Sequence, residues 1–586
     1  MSDNRLKRTI SSALWSAYAD ALGFPTELAS DTVVQQRLGH SKITRTEPWK
    51  RLVGGRFGAK VSLPAGAYSD DTQLRLATSR AIRGNGYFDV EAFAKIELTV
   101  WQAYALGAGR GSKAAAAALC NRSNTWFSNF FQGYVNGGGN GAAMRVQPHV
   151  WAANDLKQKA SYLPDVIRNA LCTHGNMRGI AGAVMHAVSL AHAFETGRAP
   201  SPEHWIEMAQ DIRTIPQHIA GDTDLSTFWV PTWEKTSGLS LKEAVEIVAN
   251  EWENSSRNVS SMLNNPISSD SAQLYEAIVR SENGLSSAER GSGLKCALFA
   301  NVAAWICQTS GAQESIQIVA NLLNSDTDTI GTMAGAIIGT VYPDARYLGP
   351  IQDETYIRDE AERLYEVSQG KNTYSFTYPD MLYWQPPRTM IDILVLKDDR
   401  LHMEGLGDVH AIGTPYSSGQ KGASWQWFLL PTGQTILSKF RPKLMTSTHK
   451  KNDTASTSMD TPDLFDQSAT IGQLEPVATP KIELEKINTV PDLRQDPNSA
   501  QGISSNNHSS PGQSSVPSDL KIAAAPLKLD LDTLTNEAIK SFDPYVIGQH
   551  ILLLAEQPNA IELSVAYSAI VVKARSARLR HRNKTN

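Results

Sequence analysis

The sequence predicts an all-α domain over residues 1–365, then a small β-rich module over 371–445, a disordered linker over 446–520 and a helical region over 528–586 with a basic end. Three observations predict this. To about residue 365 the chain is rich in alanine, its apolar residues recur at helical spacing, and β-branched runs are few; Glu91–Trp101, Ala114–Leu119, Ile180–Ala193, Leu241–Trp252 and Leu294–Ile306 all read as helices. From about 371 the texture changes, and Met390–Leu396 and Trp425–Leu430 read as strands between Gly, Pro and Ser turns. Residues 446 to about 520 are rich in Ser, Thr, Pro, Asn, Gln and Asp with no apolar period. In the last region Asp543-Pro544 starts a helical turn, and the stretch from Lys573 to Lys584 concentrates cations. That cluster suits nucleic acid or an acidic protein surface, and equally a solvated helix end, where cations favour the dipole.

At 586 residues the chain exceeds one ordinary domain, and a formal net charge of −4 gives no global basic field. Cys120, Cys172, Cys296 and Cys307 lack metal-ligand spacing and read as free buried thiols of a reducing cytosol, so a cytoplasmic protein is expected. No long apolar core follows the N-terminus, so no signal peptide is expected.

The chemistry concentrates in two acidic clusters. Asp326-Thr327-Asp328-Thr329 opens a helix of small residues, and Ser69-Asp70-Asp71-Thr72 opens another apolar helix. Either cluster alone is what a helix N-terminus favours, Ser capping and acids meeting the dipole. Brought together, the four carboxylates repel: two unit charges ~4 Å apart cost ~4 kcal/mol at an effective dielectric of 20. Divalent cations relieve that repulsion. With no Cys or His in either cluster, the donor set suits magnesium, manganese or calcium rather than zinc, and the pattern predicts a two-metal, all-oxygen site able to polarise water.

Gly221-Asp222-Thr223-Asp224 repeats the acidic pattern, but Pro231 soon follows; this segment is expected to cap or turn, with no small-residue helix running through it. Gly331, Gly335 and Gly339 recur every fourth position, which predicts close approach by another helix; the apolar run of about a dozen residues is short of the ~20 a membrane span needs. The glycine-rich stretch from Asn136 to Gly141 lets backbone N–H groups approach phosphate oxygens, or forms a surface turn. Arg145 suits a phosphate contact or a structural pair, and His174 alone suits a hydrogen-bonded core position. Trp126, Phe127, Phe130, Phe131 and Tyr134 suit adenine stacking or the packing of an inserted segment.

Taken in order, Asp20-Ala21-Leu22-Gly23-Phe24-Pro25-Thr26-Glu27, Tyr68-Ser69-Asp70-Asp71-Thr72-Gln73, Gly139-Asn140-Gly141-Ala142-Ala143-Met144-Arg145-Val146, Thr173-His174 and the segment from Asp326 to Gly339 resemble the ADP-ribosylglycohydrolases. The resemblance covers residues 10 to about 345 and implies an all-α fold. It implies that Ser69, Asp70 and Asp71 supply one side of a site for two divalent cations, Mg2+ or Mn2+, and that Asp326, Asp328 and Thr329 supply the other. Glu27 matches a family acid near the scissile ribose that gates the site or assists proton transfer; Asp70, Asp71 or Glu27 would take the proton of the attacking water. Asn140, Gly141 and Ala142 would pass the diphosphate of ADP-ribose, with His174 close to it or steadying a neighbouring loop, and Gly109-Arg110-Gly111 matches a further glycine loop. Asn324-Ser325 stand where the family often has two glycines, Ala19 where it often has one, and Ser69 where it often has Thr.

The expected activity is therefore hydrolysis of the glycosidic bond between ADP-ribose and a modified macromolecule, ADP-ribosyl-arginine foremost, with release of ADP-ribose. Two alternatives come from other classes: a catalytically silent ADP-ribose-binding adaptor, and a hydrolase of a small ADP-ribose-like nucleotide. The expected partner is an ADP-ribosylated protein or nucleic acid, recruited through the β-rich module and the basic tail, with no membrane involved. The catalytic domain is expected to be complete at about residue 365.

Overall fold

A computed structural model describes residues 2–420, 422–443, 445–446, 531–557 and 560–582, and the chain divides into two compact units, Met1–Ser458 and Met459–Asn586. The linker expected over 446–520 lies, from residue 447, outside the described residues.

The first unit is built on two helices, Ser2–Gly23 and Thr327–Val341. The glycine row brings their backbones together as its spacing predicts. A methyl group at Gly331 would stand 2.9 Å from the Ala19 carbonyl oxygen, at Gly335 2.4 Å from that of Trp15, and at Gly339 2.4 Å from that of Ser11. Hydroxyls then bridge the pair: Ser12 Oγ donates to the Ala336 carbonyl at 2.8 Å and Ser16 Oγ to the Thr332 carbonyl at 2.9 Å. Ala19 is tolerated because it faces Gly331 and Gly335. The expected helices are present, within Val90–Trp101, Arg110–Leu119, Met177–Thr196, Leu241–Asn264 and Gly293–Ser310.

Three findings depart from the sequence reading. Helix does run through the repeated Asp-Thr-Asp segment: Leu225–Trp229 take π-helical turns and lead into Val230–Ser237, with Pro231 in the first turn of that helix. The wider i→i+5 spacing accommodates the proline, which lacks an N–H. Asp222 still caps, accepting from Leu225 N at 3.1 Å. Second, an antiparallel hairpin, Trp49–Val53 with Ala59–Leu63, stands within the helical domain. Third, the first part of the expected strand at 390–396 is a 3-10 turn, Met390–Asp392, and the strand is Leu394–Lys397.

The β-rich region forms a four-stranded sheet and a three-stranded antiparallel one, the latter from His410–Ser417, Ser424–Leu429 and Thr435–Phe440. It shares its core with the helices. Trp425 and Leu437 bury with Phe24, Trp49, Val53 and Val61. Buried Arg80 pairs with Glu97 at 2.7 Å and donates to Gln434 Oε1 at 2.7 Å, and Tyr378 OH donates to the same Glu97 at 2.7 Å. Thr435 Oγ1 donates to Asp353 at 2.7 Å. A boundary at residue 365 thus cuts through one buried polar network.

The second unit packs Leu531–Ser541, Pro544–Ala555 and Ala560–Arg582 around Leu534, Ala538, Phe542, Leu554, Tyr567 and Val571. Asp543 caps the middle helix, accepting from Tyr545 N at 2.9 Å. Among the described residues no helix is long and apolar enough to cross a membrane.

Candidate active site

A cavity of about 1020 Å³ opens over the N-termini of the Asp70–Ala81 and Thr327–Val341 helices. The glycine-packed helix pair explains the meeting. Gly23 lies against the Thr327 carbonyl, where a methyl would sit 2.4 Å from its oxygen. Asp20, one turn earlier, is buried and ties down the other cluster. Its carboxylate accepts from Ser69 N at 2.9 Å, Thr72 N at 2.9 Å and Thr72 Oγ1 at 2.6 Å.

The two acidic clusters converge on the cavity floor. Asp70, Asp71, Asp326, Asp328 and Thr329 line it, together with Glu27, Asn140, Gly141 and His174. Thr329 Oγ1 donates to Asp71 Oδ2 at 3.4 Å, linking the clusters, and Ser69 Oγ donates to the same oxygen at 3.1 Å. Ser69 also caps its helix by accepting from Asp71 N at 3.2 Å; it is fully buried beneath the lining. Asp70 Oδ1 accepts from Ala108 N at 2.7 Å. That bond requires Gly107, at φ +108°, since a methyl there would stand 2.4 Å from Asp70 Oδ1.

Glu27 belongs with the acids by position. Its carboxylate, Asp326 and Asp328 each offer an oxygen within 4.8 Å of the others. Arg51, on the hairpin, holds Glu27 from the outer side at 3.5 Å and stacks its guanidinium 4.4 Å from the Phe24 ring centre. The loop bearing Glu27 is pinned by Leu28 N donating to the Ser325 carbonyl at 3.0 Å and Asn324 N to Ala29 at 3.1 Å. Asn324 has φ +66°, so asparagine, among the non-glycine residues that most readily adopt left-handed backbone, fills the position where the resemblance leads one to expect glycine.

Burial and mutual repulsion raise Asp70, Asp71, Asp326 and Asp328. Burial, then the nearby Glu27 charge, pushes Asp70 up to about 8 and Asp326 up to about 6. Asp71 and Asp328 lie well above the carboxylate range, chiefly through burial. Asp71 Oδ1 is buried without a hydrogen-bond partner. A cluster of buried carboxylates with an orphaned oxygen and only oxygen donors fits divalent cations, which satisfy the lone pairs that nothing else reaches. Cys296 Sγ accepts from Asn140 Nδ2 at 3.3 Å, and burial pushes its thiol well up, away from a thiolate.

The glycine loop forms one wall, from Asn136 to Gly141. Asn140 Nδ2 donates to Asp326 Oδ2 at 3.0 Å, so this side chain orients an acid of the floor. Gly141 has no room for a side chain: a methyl would sit 2.7 Å from Ser112 Oγ and 3.1 Å from His174 Cε1. Ala142 is fully buried and does not line the cavity. Arg145 is buried and braces the loop, donating to the Gly141 carbonyl at 2.8 Å, Asn169 Oδ1 at 2.7 Å and Thr173 Oγ1 at 2.8 Å. His174 packs behind the loop, its Nδ1 sharing a hydrogen bond with Thr173 Oγ1 at 2.7 Å. Burial and Arg145 push His174 down to about 3, so it serves as a neutral hydrogen-bonding group. Phe131 and Tyr134 also line the cavity, while Trp126 is buried.

Sequence reasoning missed Arg51 and the anchoring role of Asp20; of the two readings open for Arg145 the structural one holds, with neutral oxygens in place of an acid. Asp20 had a signal, an acid at the end of the first helix. Arg51 had a weaker one, the alternation Trp49-Lys50-Arg51-Leu52-Val53 before Gly54-Gly55.

The uncharacterized protein YegU of Escherichia coli (strain K12) is 26% identical over 353 residues, spanning 58% of this chain and 88% of YegU. A chain of an ADP-ribosylglycohydrolase-related protein complex superposes with a TM-score of 0.37 at 19% identity, over 62% of this chain and 99% of its own. The family model for ADP-ribosylglycohydrolase matches residues 1–373, which contain every acid of the cavity floor. The chain belongs to the ADP-ribosylglycohydrolase family.

Proposed function

We propose that this chain is a metal-dependent hydrolase that cleaves the glycosidic bond between ADP-ribose and a modified macromolecule, ADP-ribosyl-arginine foremost. One observation carries the reading: five carboxylates, from Glu27, Asp70, Asp71, Asp326 and Asp328, meet in one cavity walled by a glycine-rich loop. Ser69, Asp70 and Asp71 on one side and Asp326, Asp328 and Thr329 on the other would hold two Mg2+ or Mn2+ ions. When bound, such ions supply Lewis acidity toward water and ribose oxygens.

The chain's own residues supply the rest. Asn140 and Thr329 fix the Asp326 and Asp71 carboxylates, so the floor is set before substrate enters. Gly139 and Gly141 leave their backbone open to a diphosphate. Glu27, half-buried at the mouth and held by Arg51, is placed to accept a proton from the attacking water. In the reaction the bond from the anomeric carbon to the acceptor breaks as a bond to the water oxygen forms. One water proton passes to a floor carboxylate or Glu27, and the leaving group regains a proton. The transition state has oxocarbenium character, which nearby carboxylates favour. No observation favours the silent adaptor, since every acid that the chemistry needs is present.

The test offers purified protein and magnesium or manganese a panel of arginine-, serine- and nucleobase-linked ADP-ribose. Release of ADP-ribose from the arginine linkage supports the full reading. Release from another linkage alone keeps the reaction and replaces the acceptor; none from any linkage rejects it.

A further inference from the structure

The hairpin beside the cavity mouth carries charge that the chain as a whole does not. Residues 37–60 hold seven Lys or Arg against one acid, Glu47, in a chain of formal net charge −4. Glu47 is engaged by His40. Alternation along the strands turns Trp49 and Val53 into the core, with Arg51 on their side toward Phe24 and Glu27, and leaves Lys50, Leu52, Lys60 and Ser62 on the outer face. The register pairs Lys50 with Ser62 and Leu52 with Lys60, so the two lysines are diagonal neighbours.

Lys50, Arg56 and Lys60 have no acidic partner among the described residues, and neither do Lys42 and Arg45 in the preceding loop. Apolar groups stand among them. Leu52 is 49% exposed and Phe57 62%, the latter with the Arg56 guanidinium 5.5 Å from its ring centre. The hairpin is also joined to the site, because Arg51 of the same strand grips Glu27.

We propose that this face binds single-stranded nucleic acid and that an ADP-ribosylated strand is a second macromolecule delivered to the cavity, besides the arginine-linked one. Charge complementarity argues for a polyanion, since uncompensated cations in a row are relieved by phosphates. Diagonal positions on paired strands lie roughly 7–8 Å apart, so long lysine side chains from both reach one backbone. The exposed Phe57 selects between polyanions. A splayed base has a flat face to stack on it, and an acidic peptide has none. Binding at the hairpin places a neighbouring nucleotide at Glu27, the entrance to the cavity. The statement about the substrate rests on the hydrolase reading above; the binding surface does not.

The test is fluorescence anisotropy of the full chain with a fluorescein-labelled mixed-sequence single strand, as DNA and as RNA, across a salt series. With five cations engaged, log Kd against log salt has a slope of about 3.5, so affinity falls roughly 100-fold from about 50 to about 200 mM salt. The triple variant K50Q/R56Q/K60Q lowers that slope to about 1.4, by the same ~0.7 per phosphate contact. Phe57→Ala weakens binding roughly tenfold and leaves the slope unchanged. An unchanged slope in the triple variant puts the binding elsewhere and overturns the proposal. So does a labelled poly-glutamate that binds through these residues while the oligonucleotides do not. Hydrolysis of a small ADP-ribosylated arginine by the triple variant at the wild-type rate separates the two readings. If that hydrolysis persists and no strand binds, the surface falls and the reaction stands. If the strand binds through the hairpin and no linkage is hydrolysed, the surface stands and the reaction falls.

Discussion

Replacing Gly335 by alanine sets two effects of known size against each other. Alanine raises helix propensity by ~1 kcal/mol over glycine in a helix interior. Here its methyl would stand 2.4 Å from the Trp15 carbonyl oxygen and 3.0 Å from the Ala19 methyl. A carbon–oxygen contact needs about 3.3 Å, so the helices must part by roughly 0.9 Å. A gap of that size forfeits a quarter to a half of the dispersion energy of the atoms facing it, and overpacking of this kind costs about 1–3 kcal/mol. The obstacle is backbone, which cannot rotate away, so the upper part of that range applies. Gly335→Ala is expected to destabilise the first unit by about 2 kcal/mol after the propensity gain. Gly331→Ala, with 2.9 Å available, is expected to fall within about 1 kcal/mol of wild type. Urea unfolding of both variants measures the difference as a shift in midpoint at unchanged slope. The same separation would loosen Asp20 from Ser69 and Thr72, so Gly335→Ala should also weaken magnesium binding. A Gly335→Ala protein as stable as wild type, or more destabilisation from Gly331→Ala, would refute close packing as the reason for the glycine row.

Two further outcomes follow from the site and the fold. In a chelated sample Asp70 keeps its proton to about pH 8 and Asp326 to about pH 6, whereas unfolded they ionise near the ordinary carboxylate value. The folded state holds more protons over that window, so their contribution to metal-free stability is full below the unfolded value and lost as pH rises through the folded one. Magnesium displaces those protons, so the rise in melting temperature that it causes should grow from about pH 5.5 to about pH 8.5; a rise that is constant or larger at the acidic end contradicts the cluster. A chain ending at residue 446 should fold with the cooperativity of the first unit, while one ending at 365 takes Gln434 from Arg80 and Tyr378 from Glu97, uncovers Phe24, Trp49, Val53 and Val61, and should aggregate or unfold at lower urea; equal stability of the two would show the β-rich region to be separable.

The parts legible in the sequence are those encoded locally. Acids at a helix start and glycines at every fourth position state their own geometry, and both clusters and the helix pair lie where those patterns put them. Glu27 was legible through the order of motifs rather than through its own neighbours. The rest depends on pairings that no local pattern specifies. Alternation at 49–53 is short and interrupted by charge, so the hairpin is hidden among helices, and with it Arg51. Nothing in Trp425 or Gln434 says which surface their strands cover, so the shared core with Phe24 and Arg80 is invisible before folding. Pro231 reads as a helix breaker because π-helical turns are rare enough to be absent from any simple pattern. The Arg145 brace to Gly141 is a long-range rule of the same kind, a buried cation held by neutral oxygens rather than by an acid.

The proposed hydrolysis requires the floor carboxylates to hold the ions that make water reactive. The direct measurement is single-turnover release of ADP-ribose from ADP-ribosyl-arginine protein by wild type and Asp326→Ala, each with magnesium and with chelator. Release by wild type that chelation abolishes and magnesium restores, with loss of at least about a hundredfold in Asp326→Ala, is the predicted result. Release that persists in chelator, or that Asp326→Ala leaves intact, would contradict it.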